Sequence, residues 1–242
     1  MSFYYLAAIE SERGHYEEAL EFVEKGLVKN AHNIKARGLK AVILRKLGRT
    51  EAARRQIEEN LRVDLFDYLS RFELAQISPE RDAVLAEMNA LMRGFRENYL
   101  QTARDYAEAG CLEEAVAVLD QCGDGYPMLA YYRAYYLKGM GEAEKAAEEC
   151  RRADAGSPLY CFPNKLEDIA VLECASELYP EGAMAYYYLG DLYYDKLQFE
   201  RAVRLWEDAA ARRPDFPTVH RNLALAYFNK HCLLYTSDAA DD

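Results

Sequence analysis

Residues 183–214 read AMAYYYLGDLYYDKLQFERAVRLWEDAAARRP and predict two amphipathic helices joined by a short turn. In both helices, apolar residues recur at three- and four-residue spacing, which places them on one face. The face of the first helix carries Tyr186, Leu189, Gly190 and Tyr193, and that of the second carries Phe199, Ala202, Trp206 and Ala209. Pro214 ends the second helix because proline has no backbone N–H donor. The stretch therefore predicts one helical hairpin.

The same pattern recurs along the chain. Tyr186–Gly190 and His220–Ala224 stand 34 residues apart, which is a period typical of two-helix repeats. Small residues such as Gly190 and Ala202 leave room for two helices to cross closely. Similar but weaker units begin near residues 6, 41, 99 and 134, and the pattern is irregular at residues 64–94 and 159–180. The second irregular stretch predicts one extra helix, 166–178.

These positions resemble the tetratricopeptide repeat (TPR) consensus of aromatic, Leu, Gly, Tyr, Ala and Pro residues. The resemblance implies an all-α fold, a right-handed superhelical solenoid of TPR-like helical hairpins. Such a protein is expected to be a protein–protein interaction or scaffold module that binds a peptide or a partner domain on its concave face.

Three phrases resemble a narrower bacterial group, found in gut communities, whose members carry an N-terminal β-sandwich domain of unknown function before the repeats. The phrases are residues 30–48, 162–167 and 216–224. This likeness leaves an alternative function open. The chain can be the helical part of a larger carbohydrate-active or carbohydrate-binding protein whose active domain is missing from the sequence.

The repeat register predicts which side chains line the concave face of the first helices. They are Tyr4, Arg104, Tyr131, Tyr135, Tyr187, Asp191, Tyr194, Asp195, Arg221 and Phe228. Aromatic rings beside aspartate and arginine suit a peptide with apolar anchors, and they equally suit a sugar. The residue types do not distinguish the two ligands, and packing between helices is an equally good explanation for any single tyrosine.

Composition excludes several classes of partner. The formal net charge of −11 argues against nucleic acid, and no apolar run approaches the roughly 20 residues of a membrane span. The sequence predicts no cofactor. Its cysteines show no Cys-x-x-Cys spacing, so we expect neither a metal site nor a disulfide framework, but buried thiols in a reducing, cytoplasmic compartment.

No set of residues indicates catalysis. His15 lies at a predicted turn, His32 in a loop and His220 at a core position, and none is spaced with a second ligand or acid as in His-Glu-x-x-His. We therefore expect a protein that is not an enzyme.

Residues 232–242 can be explained as something other than native protein sequence. Back-translation of Cys232–Asp242 can give a transposase end and adapter sequence used in sequencing libraries, and the codon of His231 can supply the base before it. We expect a repeat region over residues 1–230, followed by a translated adapter over residues 231–242.

Overall fold

The computed structural model describes residues 2–123 and 125–238, with side chains up to residue 229. These residues form 14 α-helices and no β-strand, which confirms the predicted all-α class. The chain divides into two compact units, residues 1–124 (unit 1) and 125–242 (unit 2).

Unit 1 consists of four antiparallel helical hairpins, each made of consecutive helices that pack on one another. The bounds are α1 Phe3–Glu12, α2 Tyr16–Lys29, α3 Ile34–Lys46, α4 Thr50–Val63, α5 Tyr68–Ile77, α6 Arg81–Met92, α7 Arg96–Glu108 and α8 Leu112–Leu119. The first helices α1, α3, α5 and α7 pack side by side in that order.

Unit 2 contains two hairpins, one single helix and a last helix. The bounds are α9 Pro127–Gly139, α10 Ala143–Asp154, α11 Leu166–Leu178, α12 Met184–Asp195, α13 Phe199–Arg212 and α14 Pro217–Asp238. The extra helix predicted over residues 166–178 is α11, which packs against α9, α10 and α12. Tyr132 on α9 fixes it by donating a hydrogen bond to Asp168 Oδ1 at 2.7 Å.

Small residues let the two helices of a hairpin approach closely. The fourth residue of the second helix is a fully buried alanine in five hairpins: Ala19, Ala53, Ala115, Ala146 and Ala202. In the α12/α13 hairpin, a Cβ added to Gly190 would lie 2.3 Å from Trp206 Cδ1, closer than non-bonded carbon atoms come. The indole ring therefore occupies the space that a larger residue at position 190 would need.

The α5/α6 hairpin uses a different packing solution. Fully buried Phe72 and Met88 fill its interior, and the Phe72 ring meets the Tyr106 ring edge to face at a centroid distance of 5.7 Å. This explains why residues 64–94 depart from the consensus although they form a helical hairpin like their neighbours.

The turn inside most hairpins needs a left-handed residue two positions before the second helix. Glycine meets this need at Gly48 (φ 72°) and Gly141 (φ 81°), at no steric cost. The α12/α13 hairpin has Leu197 at the same place, with φ 61° and 74% of its surface exposed. An L-residue with a side chain is strained in this conformation.

We predict that Leu197→Gly stabilises the protein by about 1 kcal/mol, because glycine relieves this strain and little buried surface is lost. Urea unfolding measures the change. Leu159→Gly is the matched control, since Leu159 is 73% exposed and has no positive φ, so glycine there should give no gain. Equal effects of the two substitutions would contradict the assignment of strain to Leu197.

Candidate ligand-binding faces

The predicted ligand residues fall in both units. Tyr4 and Arg104 belong to unit 1, and the other eight belong to unit 2. In each unit we call the surface formed by the first helices of the hairpins the inner face. In unit 1 these helices are α1, α3, α5 and α7, and in unit 2 they are α9, α12 and α14.

The inner face of unit 1 is closed by its own residues, because α1 packs directly against α7. The Tyr4 hydroxyl donates to Glu108 Oε2 at 2.9 Å, and Ser11 Oγ donates to the carbonyl of Ala109 at 2.9 Å. A Cβ added to Gly110 would lie 2.5 Å from the Cα of Glu12, so the two backbones come very close. These contacts hold α1 against the end of α7.

Charged side chains also bind one another inside unit 1. Glu73, which is fully buried, receives two hydrogen bonds from Arg45 at 2.7 and 3.0 Å and one from the Tyr106 hydroxyl at 2.7 Å. Arg45 also donates to Glu114 at 2.7 Å. The predicted residue Arg104 is 8% exposed and donates to Gln101 at 2.8 Å. These groups satisfy one another within the unit, since a buried charge is tolerated only when it is paired.

In unit 2, Asp191 is the centre of a hydrogen-bond cluster that joins three helices. Its Oδ1 accepts from Trp206 Nε1 on α13 at 3.0 Å and from Asn222 Nδ2 on α14 at 3.1 Å. The Tyr187 side chain on α12 also favours the charged form of this carboxylate. Arg221 on α14 adds a favourable charge. The cluster therefore fixes α14 to the α12/α13 hairpin.

Burial raises the pKa of Asp191 to about 6, although Tyr187, Trp206, Asn222 and Arg221 oppose that change. The Tyr187 ring packs edge to face against Phe216 at a centroid distance of 4.9 Å, and Tyr187 is only 8% exposed. The structure thus uses Tyr187 and Asp191 for internal packing.

Tyr131 lies in the core of unit 2 and is 1% exposed. Its ring meets the Tyr188 ring at a centroid distance of 6.2 Å. Such a residue is not available to a ligand on the surface. The sequence pattern gives no warning of this, because Tyr131 occupies the same repeat position as Tyr187.

The remaining predicted residues of unit 2 reach solvent. Phe228 is 66% exposed and Tyr135 is 40% exposed, and Asp195 and Arg221 are exposed as well. Tyr194 is half-buried, with its ring 5.1 Å from the Trp206 ring and its hydroxyl accepting from Asn229 at 3.3 Å.

Sequence reasoning missed Leu225, which lies 34 residues after Asp191 and is 54% exposed. The repeat period alone would have identified it. Apolar Leu225 thus replaces a polar residue at this position of the inner face.

The histidines and acidic residues of the described part of the chain have these surroundings. The described residues contain no group of three or more His, Cys, Asp or Glu side chains that could hold a metal ion. His15 Nδ1 lies 2.8 Å from Glu10 and His220 Nε2 lies 2.8 Å from the Pro214 carbonyl, so these rings have local structural partners.

The five cysteines before residue 230 are buried thiols. Burial raises the pKa of both Cys111 and Cys150 to about 12, which keeps them protonated and unreactive at neutral pH. No helix within the described ranges is long and apolar enough to cross a membrane.

No protein-family model matches the sequence. Among solved structures, the chain is similar to TTC0263, a TPR protein of Thermus thermophilus, at 18% identity and a TM-score of 0.30, over 93% of this chain and 97% of that one. MamA shows 18% identity and a TM-score of 0.29 over 78% and 82% of the two chains. The TPR domain of P58(IPK) shows 15% identity and a TM-score of 0.32 over 98% and 67%.

At these TM-scores the superpositions give no residue-by-residue correspondence. The TPR-like character of the chain rests on its own hairpins, with their buried alanines and the repeat period.

We predict that Asp191 makes stability depend on pH. Its folded-state pKa near 6 lies above the ordinary value of 3.8, so its favourable contribution is complete below the lower value and is lost as the pH rises through 6. Between about pH 4 and pH 7, the free energy of unfolding should fall by about 1–3 kcal/mol more in the wild type than in Asp191→Asn.

Urea unfolding at a series of pH values measures this difference, and a carbon NMR titration of the Asp191 carboxyl group gives its midpoint directly. Parallel pH profiles for the two proteins, together with a midpoint near 4, would show that the carboxylate is better solvated than the structure indicates.

Proposed function

We propose that the chain is a non-enzymatic interaction module that binds a protein segment on the inner face of unit 2, or packs there against a domain of its own longer chain. The observation that carries this proposal is the exposed apolar surface of α14, formed by Leu225 and Phe228. Buried aromatic and aliphatic anchors contribute most of the binding energy in protein interfaces.

The arrangement of charges around these anchors supports a peptide-like ligand. Arg221 stands one helical turn before Leu225, and Asp195 and Tyr135 are exposed on the first helices α12 and α9. An apolar anchor of the ligand can pack on Phe228 while polar groups of its backbone meet Arg221 or Asp195. In unit 1, by contrast, contacts between α1 and the end of α7 already occupy Tyr4 and Ser11.

The net charge of −11 makes a nucleic acid an unfavourable partner. The buried, protonated thiols are compatible with a reducing compartment, and we propose a cytoplasmic location on that basis.

The alternative is that the chain is the helical part of a larger carbohydrate-active or carbohydrate-binding protein. Exposed Tyr135, Asp195 and Arg221 favour it, because a sugar ring stacks on an aromatic face while its hydroxyl groups meet charged side chains. Two experiments distinguish the two functions. One is a glycan array probed with the chain, and the other is sequencing of the source locus upstream of Met1. Binding to glycans, or an in-frame β-sandwich domain upstream, supports the alternative.

Peptides selected from a random library on the immobilised chain test the proposed face. We predict that Phe228→Ala weakens the binding of such peptides about tenfold or more, because it removes the largest exposed anchor of the face. Phe162→Ala is the matched control, since Phe162 is 70% exposed but lies in the loop before α11.

Fluorescence anisotropy gives the dissociation constants, and thermal melting checks that both variants are folded. The proposal requires the control to bind within about twofold of the wild type. Equal losses in both variants, or no loss in either, would exclude the α14 surface as the binding site.

A further inference from the structure

The contact between α1 and α7 leaves a small, partly open cavity of about 50 Å³ between the first helices of unit 1. A buried water molecule needs roughly 10–15 Å³ of such space, so the cavity holds a group of about four heavy atoms. The cavity is too small for a bulky ligand, but it can hold one short chain of atoms.

One side of the cavity is apolar. Val42 on α3 and Leu69 on α5 line it, and Gly38 lies between them. A Cβ added to Gly38 would lie 3.1 Å from Leu69 Cδ2, so the two helices leave no room for a larger wall residue there. Surfaces of this kind bind methylene groups, because they remove apolar area from water.

The other side of the cavity carries more negative than positive charge. Asp67 and Asp105 line it together with Lys35, and Glu108 lies beside Lys35. Lys35 Nζ pairs with Asp105 at 3.0 Å and with Glu108 at 3.4 Å, so one ammonium group serves two carboxylates.

Asp67 lacks a positive partner. It is 8% exposed, its oxygens accept hydrogen bonds from Ser70 N at 3.0 Å and Ser70 Oγ at 2.6 Å, and it forms no salt bridge with a described residue. Burial raises the pKa of Asp67, and the neighbouring carboxylates Asp64 and Asp105 raise it further. Burial also raises the pKa of Asp105, against the effect of Lys35. A second cation is therefore favoured beside Asp67.

We propose that this cavity binds a primary alkylammonium group, with its methylene groups against Val42 and Leu69 and its ammonium group beside Asp67 and Asp105. The ammonium supplies the charge that Lys35 leaves unbalanced, and its three N–H donors match carboxylate acceptors. The site lies in unit 1 and uses none of the residues proposed for peptide binding in unit 2, so the two proposals can fail separately.

Propylammonium chloride, which has four heavy atoms, is the probe. Amide NMR spectra of the full chain should show saturable shifts at Gly38 and Ala109 on titration. Propanol and acetate also have four heavy atoms; propanol removes the charge and acetate reverses it, and both should bind about tenfold more weakly or not at all. Sodium chloride at equal concentration controls for ionic strength.

Asp67→Asn tests the charge and preserves the fold, because asparagine is as good a helix N-cap as aspartate. It should weaken propylammonium binding about tenfold, whereas the exposed control Asp82→Asn should change it less than about twofold. Val42→Ile, which extends a methyl group into the cavity, should also weaken binding.

The proposal is overturned if propylammonium gives no saturable shift, if propanol binds equally well, or if Asp67→Asn behaves like Asp82→Asn. A capped lysine amide identifies the natural source of the group. Binding of the capped lysine as tight as that of propylammonium indicates a lysine of a partner protein, and binding of propylammonium alone indicates a free amine.

Discussion

The packing of α1 against α7 determines which surfaces of unit 1 a ligand can reach. The Tyr4–Glu108 and Ser11–Ala109 hydrogen bonds join residues about a hundred positions apart in the chain. The close approach of Gly110 to Glu12 leaves no space between the two helices there. Because the first helices meet in this way, a small, partly open cavity lies between them.

Unit 2 contains the same type of hairpin, but its inner face is arranged differently. Asp191, Trp206 and Asn222 connect three helices, so the polar groups at the centre of its inner face are already bonded. The surface beyond this cluster includes exposed side chains on α14, and Phe228 is the most exposed of the aromatic side chains that the structure describes on that helix. The internal contacts thus fix α14 against the α12/α13 hairpin. For the proposed function, such an arrangement reduces the conformational entropy that binding has to overcome.

The local sequence is enough to predict the hairpins. It is not enough to predict which side chains a ligand can reach. Buried alanines such as Ala202 and the bounds of α11 could be predicted, because they depend on helical periodicity within a few turns. The α5/α6 hairpin does not match the repeat consensus, because Phe72 and Met88 fill its interior with large side chains. Side-chain availability depends on distant partners. Repeat register placed Tyr131 on the binding face, yet its packing against Tyr188, 57 residues later, buries it.

Nuclear Overhauser contacts between the Ala109 methyl group and protons of Ser11 or Tyr4 test the closure of unit 1 most directly. Such contacts are expected, because the Ser11 hydroxyl lies 2.9 Å from the Ala109 carbonyl oxygen. The contacts between Gly190 and the Trp206 ring serve as an internal reference for a formed hairpin. Absence of the Ala109 contacts, with the reference contacts present, would show that α1 does not pack on α7 and that the inner face of unit 1 is open.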